Sequence, residues 1–160
     1  MPDTRVYRKK QSRGYSRRKV ETRDLRQRFL IVCEGKRTEP DYFRCFRVPK
    51  NVVALDIQGL GFNTIRLVEE AIRIKADEEY DQIWCVFDRN SHPVEHFNSA
   101  LRLAEKEGIQ VAYSNESFEL WFLLHFNYYD TAITRQDCCN KLEPLLGHKY
   151  KKIAKRFILS

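Results

Sequence analysis

Apolar positions along this chain fall into continuous runs that alternate with spaced stripes. Phe29-Leu30-Ile31-Val32-Cys33 and Ile83-Trp84-Cys85-Val86-Phe87 are continuous. Runs of that length predict central strands of a parallel sheet, covered on both faces. Each stops abruptly at a carboxylate, Glu34 in the first and Asp88 in the second. Val52–Ile57 predicts a further strand, and Ile109–Tyr113 a fourth. Between the strands the pattern turns helical. Gly35 permits a sharp turn, and Thr38 with Asp41 three positions on predicts a capped helix running to about Arg47. Asn63 caps a long helix whose apolar stripe reads Ile65, Val68, Ile72 and Ala76. Pro93 opens another, with Phe97, Ala100, Leu101 and Ala104 facing the core and Gly108 ending it. From about Ser117 to Phe126 the chain is apolar on every side, which predicts a buried helix. A last helix runs from about Arg135 to Leu146. The alternation predicts an α/β fold, a mostly parallel sheet with helices on both faces.

Composition narrows the picture. The chain has 160 residues, enough for one domain with a substantial core. No apolar run approaches the roughly 18–20 residues that span a bilayer, so no membrane role is expected. The basic N-terminus has no apolar segment behind it, unlike a secretory signal. The five cysteines are an odd number without paired C-x-x-C spacing, which argues against a structural zinc site and for a reducing cytoplasmic setting. Charge is uneven. Residues 1–28 hold 11 Lys and Arg against 3 Asp and Glu, a net +8, while the whole chain is +7, which leaves residues 29–160 at −1. Residues 1–28 therefore read as a mobile basic arm. Arg8, Lys9, Lys10, Arg13, Arg17, Arg18 and Lys19, interleaved with Tyr7 and Tyr15, are its candidate contacts to nucleic acid. A solubilising tail, or a clamp on the protein's own acidic surface, fits the same charges.

In open parallel sheets ligands collect outside the carboxyl ends of the strands. Glu34 and Asp88 are thus expected side by side at one sheet edge, a pair suited to a hard divalent cation. Each carboxylate taken alone also fits a helix cap or a turn. Lys36, Arg37 and Arg89 are placed to neutralise phosphate charge. Glu119 and His125 are the ionisable members of the apolar helix. A buried Glu119 needs a cation, a histidine or a metal beside it, or a hydrogen bond that ties the helix to the sheet. Other patterns fail. Gly35-Lys36-Arg37-Thr38 lacks the upstream glycine and the hydroxyl residue of a phosphate loop. His92-Pro93-Val94-Glu95-His96 has zinc-peptidase spacing, but its proline puts His92 at or before a helix cap.

Three blocks together resemble one family. Ile31-Val32-Cys33-Glu34-Gly35-x-x-Thr38-Glu39-Pro40-x-Tyr42-Phe43 is similar to the opening of the RloB-like proteins. Tyr80-Asp81-x-x-Trp84-Cys85-Val86-Phe87-Asp88 is similar to a later block. Ser114-Asn115-x-x-Phe118-Glu119-Leu120-Trp121-x-x-x-His125-Phe126 is similar to another. The resemblance implies a Toprim-like domain at residues 29–130, between the arm and a C-terminal helical extension at 131–160. It also implies that the chain stops within the family's C-terminal helical region, as in a short or truncated member. Toprim proteins hold magnesium with a glutamate after the first strand and a D-x-D after the third. On that pattern Glu34 and Asp88 are metal ligands, with Glu39 and Asn90 as further candidates. Asn90 departs from the family, which usually has aspartate there. It offers a carbonyl oxygen and no charge.

The implied function is a Mg-dependent nuclease (Mn as a substitute metal) of a prokaryotic antiphage or abortive-infection system. Glu34, Asp88, Glu119 and His125 would be its catalytic residues, nucleic acid its substrate and a defence protein its partner. The alternative is a non-catalytic nucleic-acid-binding or sensing module whose metal site has weakened at Asn90.

Overall fold

The computed structural model describes residues 26–89 and 93–150. Most of the arm (1–25), Asn90, His92 and the last ten residues (151–160) lie outside the described residues. Four parallel strands, β1 (Gln27–Cys33), β2 (Val53–Gly59), β3 (Gln82–Asp88) and β4 (Gln110–Ser114), form one sheet in the order β2-β1-β3-β4. Helices α1 (Thr38–Arg44), α2 (Thr64–Asp77) and α3 (Val94–Lys106) connect them, and α4 (Glu119–Leu124) and α5 (Arg135–Leu146) follow β4. The α/β reading holds, with the two continuous apolar runs as the central strands. β1 already begins at Gln27. Arg28, counted above with the basic arm, binds Glu78, the Glu79 carbonyl and Asp81.

Side chains alternate across the pleat. Leu30, Val32, Ile83, Cys85 and Phe87 point to one face and pack with Leu67, Val68, Ala71 and Ile74 of α2 and with Phe97, Ala100 and Ala104 of α3. Cys33 and Val86 point to the other, against Tyr42 of α1, Phe118, Phe122 and Leu123 around α4, and Cys138 and Leu142 of α5. The second face is covered only toward the carboxyl ends of the strands. Lower down, Phe29, Ile31, Trp84, Phe43, Phe46 and Trp121 line an apolar groove of about 270 Å³. The expectation that the central strands are buried on both faces thus holds for their carboxyl halves and fails for their first residues. Short α1 and α4, of seven and six residues, do not reach that far.

Three local expectations need correction. The buried stripe of α2 is Thr64, Leu67, Val68, Ala71 and Ile74, rotated about one position from the predicted stripe, and Ala76 is exposed. The N-cap of α1 is Arg37, with no side-chain cap bond, and Thr38 is its first helical residue. α4 is shorter than predicted and is not buried all round. Trp121 is 38% exposed and Leu124 40%, because the helix lies on the open face beside the groove. The N-caps Asn63 and Thr134 each accept a backbone N–H from the first turn, as their residue types favour. Gly108 and Gly147 follow their helices with φ of 68° and 70°.

Candidate functional site

The strand order reverses between β1 and β3. β1 hands the chain to β2 on one side, and β3 lies on the other, so the crevice at their carboxyl ends is the expected ligand position for this topology. Cys33 pairs with Val86 in the register, and the next residue, Glu34, continues the ladder with its N–H to the Val86 carbonyl at 2.9 Å. The Asp88 N–H donates to Glu34 Oε2 at 3.1 Å, across 54 positions of sequence. Parallel register therefore brings the Glu34 carboxylate onto the Asp88 backbone, as the two abrupt strand ends predict, although Glu34 itself is not among the residues that line the cleft beside Asp88.

A cleft of about 390 Å³ opens there, lined by Gly35, Lys36, Arg37, Glu39, Asp88 and Glu119, with Thr38 and Phe118 completing its wall. Backbone fit holds the turn in place. A Cβ on Gly35 would meet the Glu39 carboxylate, so Gly35 is the gap through which Glu39 reaches back over the turn. Gly59, at the end of β2, has the Gly35 carbonyl and Pro40 Cγ each 2.6 Å from where a Cβ would stand. Gly61 has φ 70° and lies beneath the Lys36 side chain. The small residues of the β2 end thus let the β1–α1 turn settle against it.

Asp88 and Glu119 are buried, as is Glu39. Asp88 Oδ2 accepts from Arg135 Nη2 at 3.3 Å. Asp88 Oδ1 is buried with no hydrogen-bond partner among the described residues. Burial, and after it the charges of Glu39 and Glu119, push the Asp88 carboxyl up to about 7, with Glu34 adding to the rise and Arg135 opposing it. One long bond from a half-exposed guanidinium does not offset desolvation plus three like charges. Glu119 Oε1 accepts from the Tyr150 hydroxyl at 3.2 Å. Burial first, and then the charge on Glu119, raise the Tyr150 hydroxyl pKa, so Tyr150 stays a donor.

The other expected residues lie apart. His125, at the C-terminal cap of α4, shares a 3.0 Å hydrogen bond with the Tyr42 hydroxyl and does not line the cleft. Arg89 lies over the Phe97 ring at 5.4 Å, on the α3 face of the sheet, so it does not join Lys36 and Arg37. Both of these are exposed at the cleft. Arg8, Lys9, Lys10, Arg13, Arg17, Arg18, Lys19 and Asn90 are outside the described residues, as is His92 of the zinc-peptidase pattern. Glu95 and His96 of that pattern are exposed on α3.

Comparison with known proteins adds the family. Residues 29–159 match the RloB-like protein family. The chain belongs to the RloB-like family. No curated protein and no solved structure matches it. The RloB-like match takes in all three blocks that carry the resemblance, and α5 besides.

The chemistry of the donors bears on a metal. Among the described residues, no group of three or more His, Cys, Asp or Glu side chains is drawn together to hold an ion unaided. Magnesium asks for less, namely hard oxygen donors, one or two carboxylates, and water or phosphate for the rest. Glu34 and Asp88 are hard donors, and the unpartnered Asp88 Oδ1 is a buried oxygen that a cation would satisfy. The residues fit a Mg²⁺ site of that open kind. Two residues that bond to carboxylates of the cleft escape the sequence reading, Arg135 on Asp88 and Tyr150 on Glu119. The Thr134-x-x-Asp137 cap places Arg135 at the start of a helix. Its contact with Asp88, 47 positions away, is tertiary and leaves no spacing signal.

Proposed function

We propose that this chain is a Mg²⁺-dependent nuclease of the Toprim type, cleaving phosphodiester bonds in nucleic acid within a cytoplasmic prokaryotic defence system. The observation that carries the proposal is the pairing of Glu34 and Asp88 at the carboxyl ends of adjacent central strands, with one Asp88 oxygen buried and unpartnered. Membership of the RloB-like family supports the same reading. In it, Glu34 and Asp88 hold the ion, with Glu39 and Asn90 as further oxygen donors. Bound there, Mg²⁺ would polarise a phosphate oxygen and acidify a water. Lys36 and Arg37, exposed at the cleft, take up phosphate charge. Glu119, fixed by Tyr150, keeps a second acidic wall facing the reacting group. The arm supplies sequence-independent contacts to the nucleic acid backbone.

The second reading is a binding or sensing module. It is favoured by the lack of a ready three-ligand group among the described residues and by asparagine at position 90. A cleavage panel on DNA and RNA with Mg²⁺ or Mn²⁺, wild type beside Asp88→Ala, decides between them. The nuclease reading expects cleavage that needs the metal and is lost in Asp88→Ala. Retained nucleic-acid binding with no cleavage under any metal supports the module instead.

A further inference from the structure

Arg135 is rooted firmly and bonded loosely. Its backbone N–H donates to Glu116 Oε2 at 2.9 Å, and the preceding Thr134 caps α5. The start of the helix is therefore pinned on the β4–α4 connection. Its guanidinium has one long hydrogen bond, 3.3 Å to Asp88 Oδ2, and no other among the described residues. The side chain is 44% exposed, while that of Asp88 is 12% exposed. A guanidinium fork is built for bidentate contact with carboxylate or phosphate, and here a single donor is used. On its side, Asp88 is short of positive charge. It stands among Glu34, Glu39 and Glu119, and its second oxygen is buried without a partner.

We propose that Arg135 is an exchangeable counter-ion: it holds Asp88 when no metal is bound, yields that oxygen to a divalent cation, and then takes a phosphate group of the substrate. The inference rests on the metal-site reading above and adds a residue and an order of events to it. A divalent ion between Glu34 and Asp88 carries twice the charge of the guanidinium and can satisfy the buried oxygen that Arg135 does not reach. Once the ion neutralises the carboxylates, the attraction that holds Arg135 inward weakens. The fork, still rooted at Thr134, then stands free beside a cleft that already presents Lys36 and Arg37. The cleft would thus be closed to phosphate by its own salt bridge until the cation arrives.

The test measures Mn²⁺ affinity by titration calorimetry, and the affinity for a short oligothymidylate in Ca²⁺, with no turnover needed. The full chain is used as wild type, R135A, R135K and D88N, with thermal melts as a folding control. R135A removes a competitor, so Mn²⁺ is expected to bind roughly 1.5- to 5-fold tighter, the range for one partly exposed ion pair. The same variant is expected to bind oligothymidylate in Ca²⁺ several-fold more weakly. R135K should keep most of the competition but lose the two-pronged phosphate contact, falling between the two. Unchanged or weaker Mn²⁺ binding in R135A overturns the proposal and makes Arg135 a fixed brace. Tighter Mn²⁺ binding with unchanged oligothymidylate affinity overturns it too, because the freed guanidinium then has no ligand. If D88N leaves Mn²⁺ binding unaltered, the metal-site reading falls and the exchange with it.

Discussion

At Asp88, burial and the acidic neighbours raise the carboxyl to about 7, so the folded chain keeps a proton that the unfolded chain has already released. The sign of the consequence is fixed. Below the ordinary aspartate range both states hold the proton and the group adds nothing. Between that range and about 7 folding loses stability as pH rises, and above about 7 the loss is complete. Thermal melts of the metal-free protein from about pH 4 to about pH 8 should show this fall, on the order of a few kcal/mol at most. Asp88→Asn should flatten it and be the more stable form at the alkaline end. A wild-type profile that rises across this range would contradict the assignment. Gly59 gives a second prediction. A methyl group there meets backbone and Pro40 at 2.6 Å, atoms that cannot swing away. Gly59→Ala should cost about 1–3 kcal/mol in denaturant melts, as other overpacked sites do. Gly35→Ala, whose nearest neighbours are the atoms of the Glu39 carboxylate, the far end of a flexible side chain, should cost less stability and instead displace that acid from the cleft. The partners Glu34 and Asp88 were legible in the sequence because each ends an apolar run, and parallel register aligns run ends. Arg135, Tyr150 and the separation of His125 and Arg89 were not, because each is decided by a tertiary contact or by which side of the pleat a residue takes.

Among the elements, α5 matters most to the cleft, because it carries Arg135 at its first turn and anchors itself by Cys138 and Leu142. Leu142 is fully buried in the cluster that also holds Cys33, Val86, Phe118 and Phe122. Leu142→Ala should therefore destabilise the chain by about 2–5 kcal/mol, measured by urea unfolding. A loss below about 1 kcal/mol would mean that α5 is only loosely seated. The strands and the longer helices could be read from periodicity, since α2 and α3 each present one apolar face to one side of the sheet. α4 could not. A helix apolar all round is ordinarily enclosed, yet here the sheet face beside it is open and Trp121 and Leu124 stay in solvent. Hydrophobic pattern reports what a segment can bury, and how much neighbouring chain is there to cover it is settled by the lengths of other elements.

Along the whole chain, the net positive charge is concentrated in the first 28 residues of the sequence. The chain beyond residue 28 is near neutral in net charge, although its cleft combines buried acids with exposed Lys36 and Arg37. Deletion of residues 1–25 should therefore lower nucleic-acid affinity and flatten its dependence on salt, measured by fluorescence anisotropy over a salt series. An unchanged slope would assign the contacts to the folded part. The open groove has an optical consequence. Trp84 and Trp121 are the two tryptophans of the chain, and both line it. Neither lines the acidic cleft, yet Trp121 shares six-residue α4 with Glu119, which does. All indole emission thus comes from the groove, from Trp84 on β3 and from Trp121 on α4, the helix whose first residue lines the cleft of the proposed metal site. Both indoles should emit toward the red and be quenched readily by acrylamide. Added Mg²⁺ should alter the quenching of Trp121 by shifting α4, so this indole is a native fluorescent gauge of whether filling the cleft moves the helix.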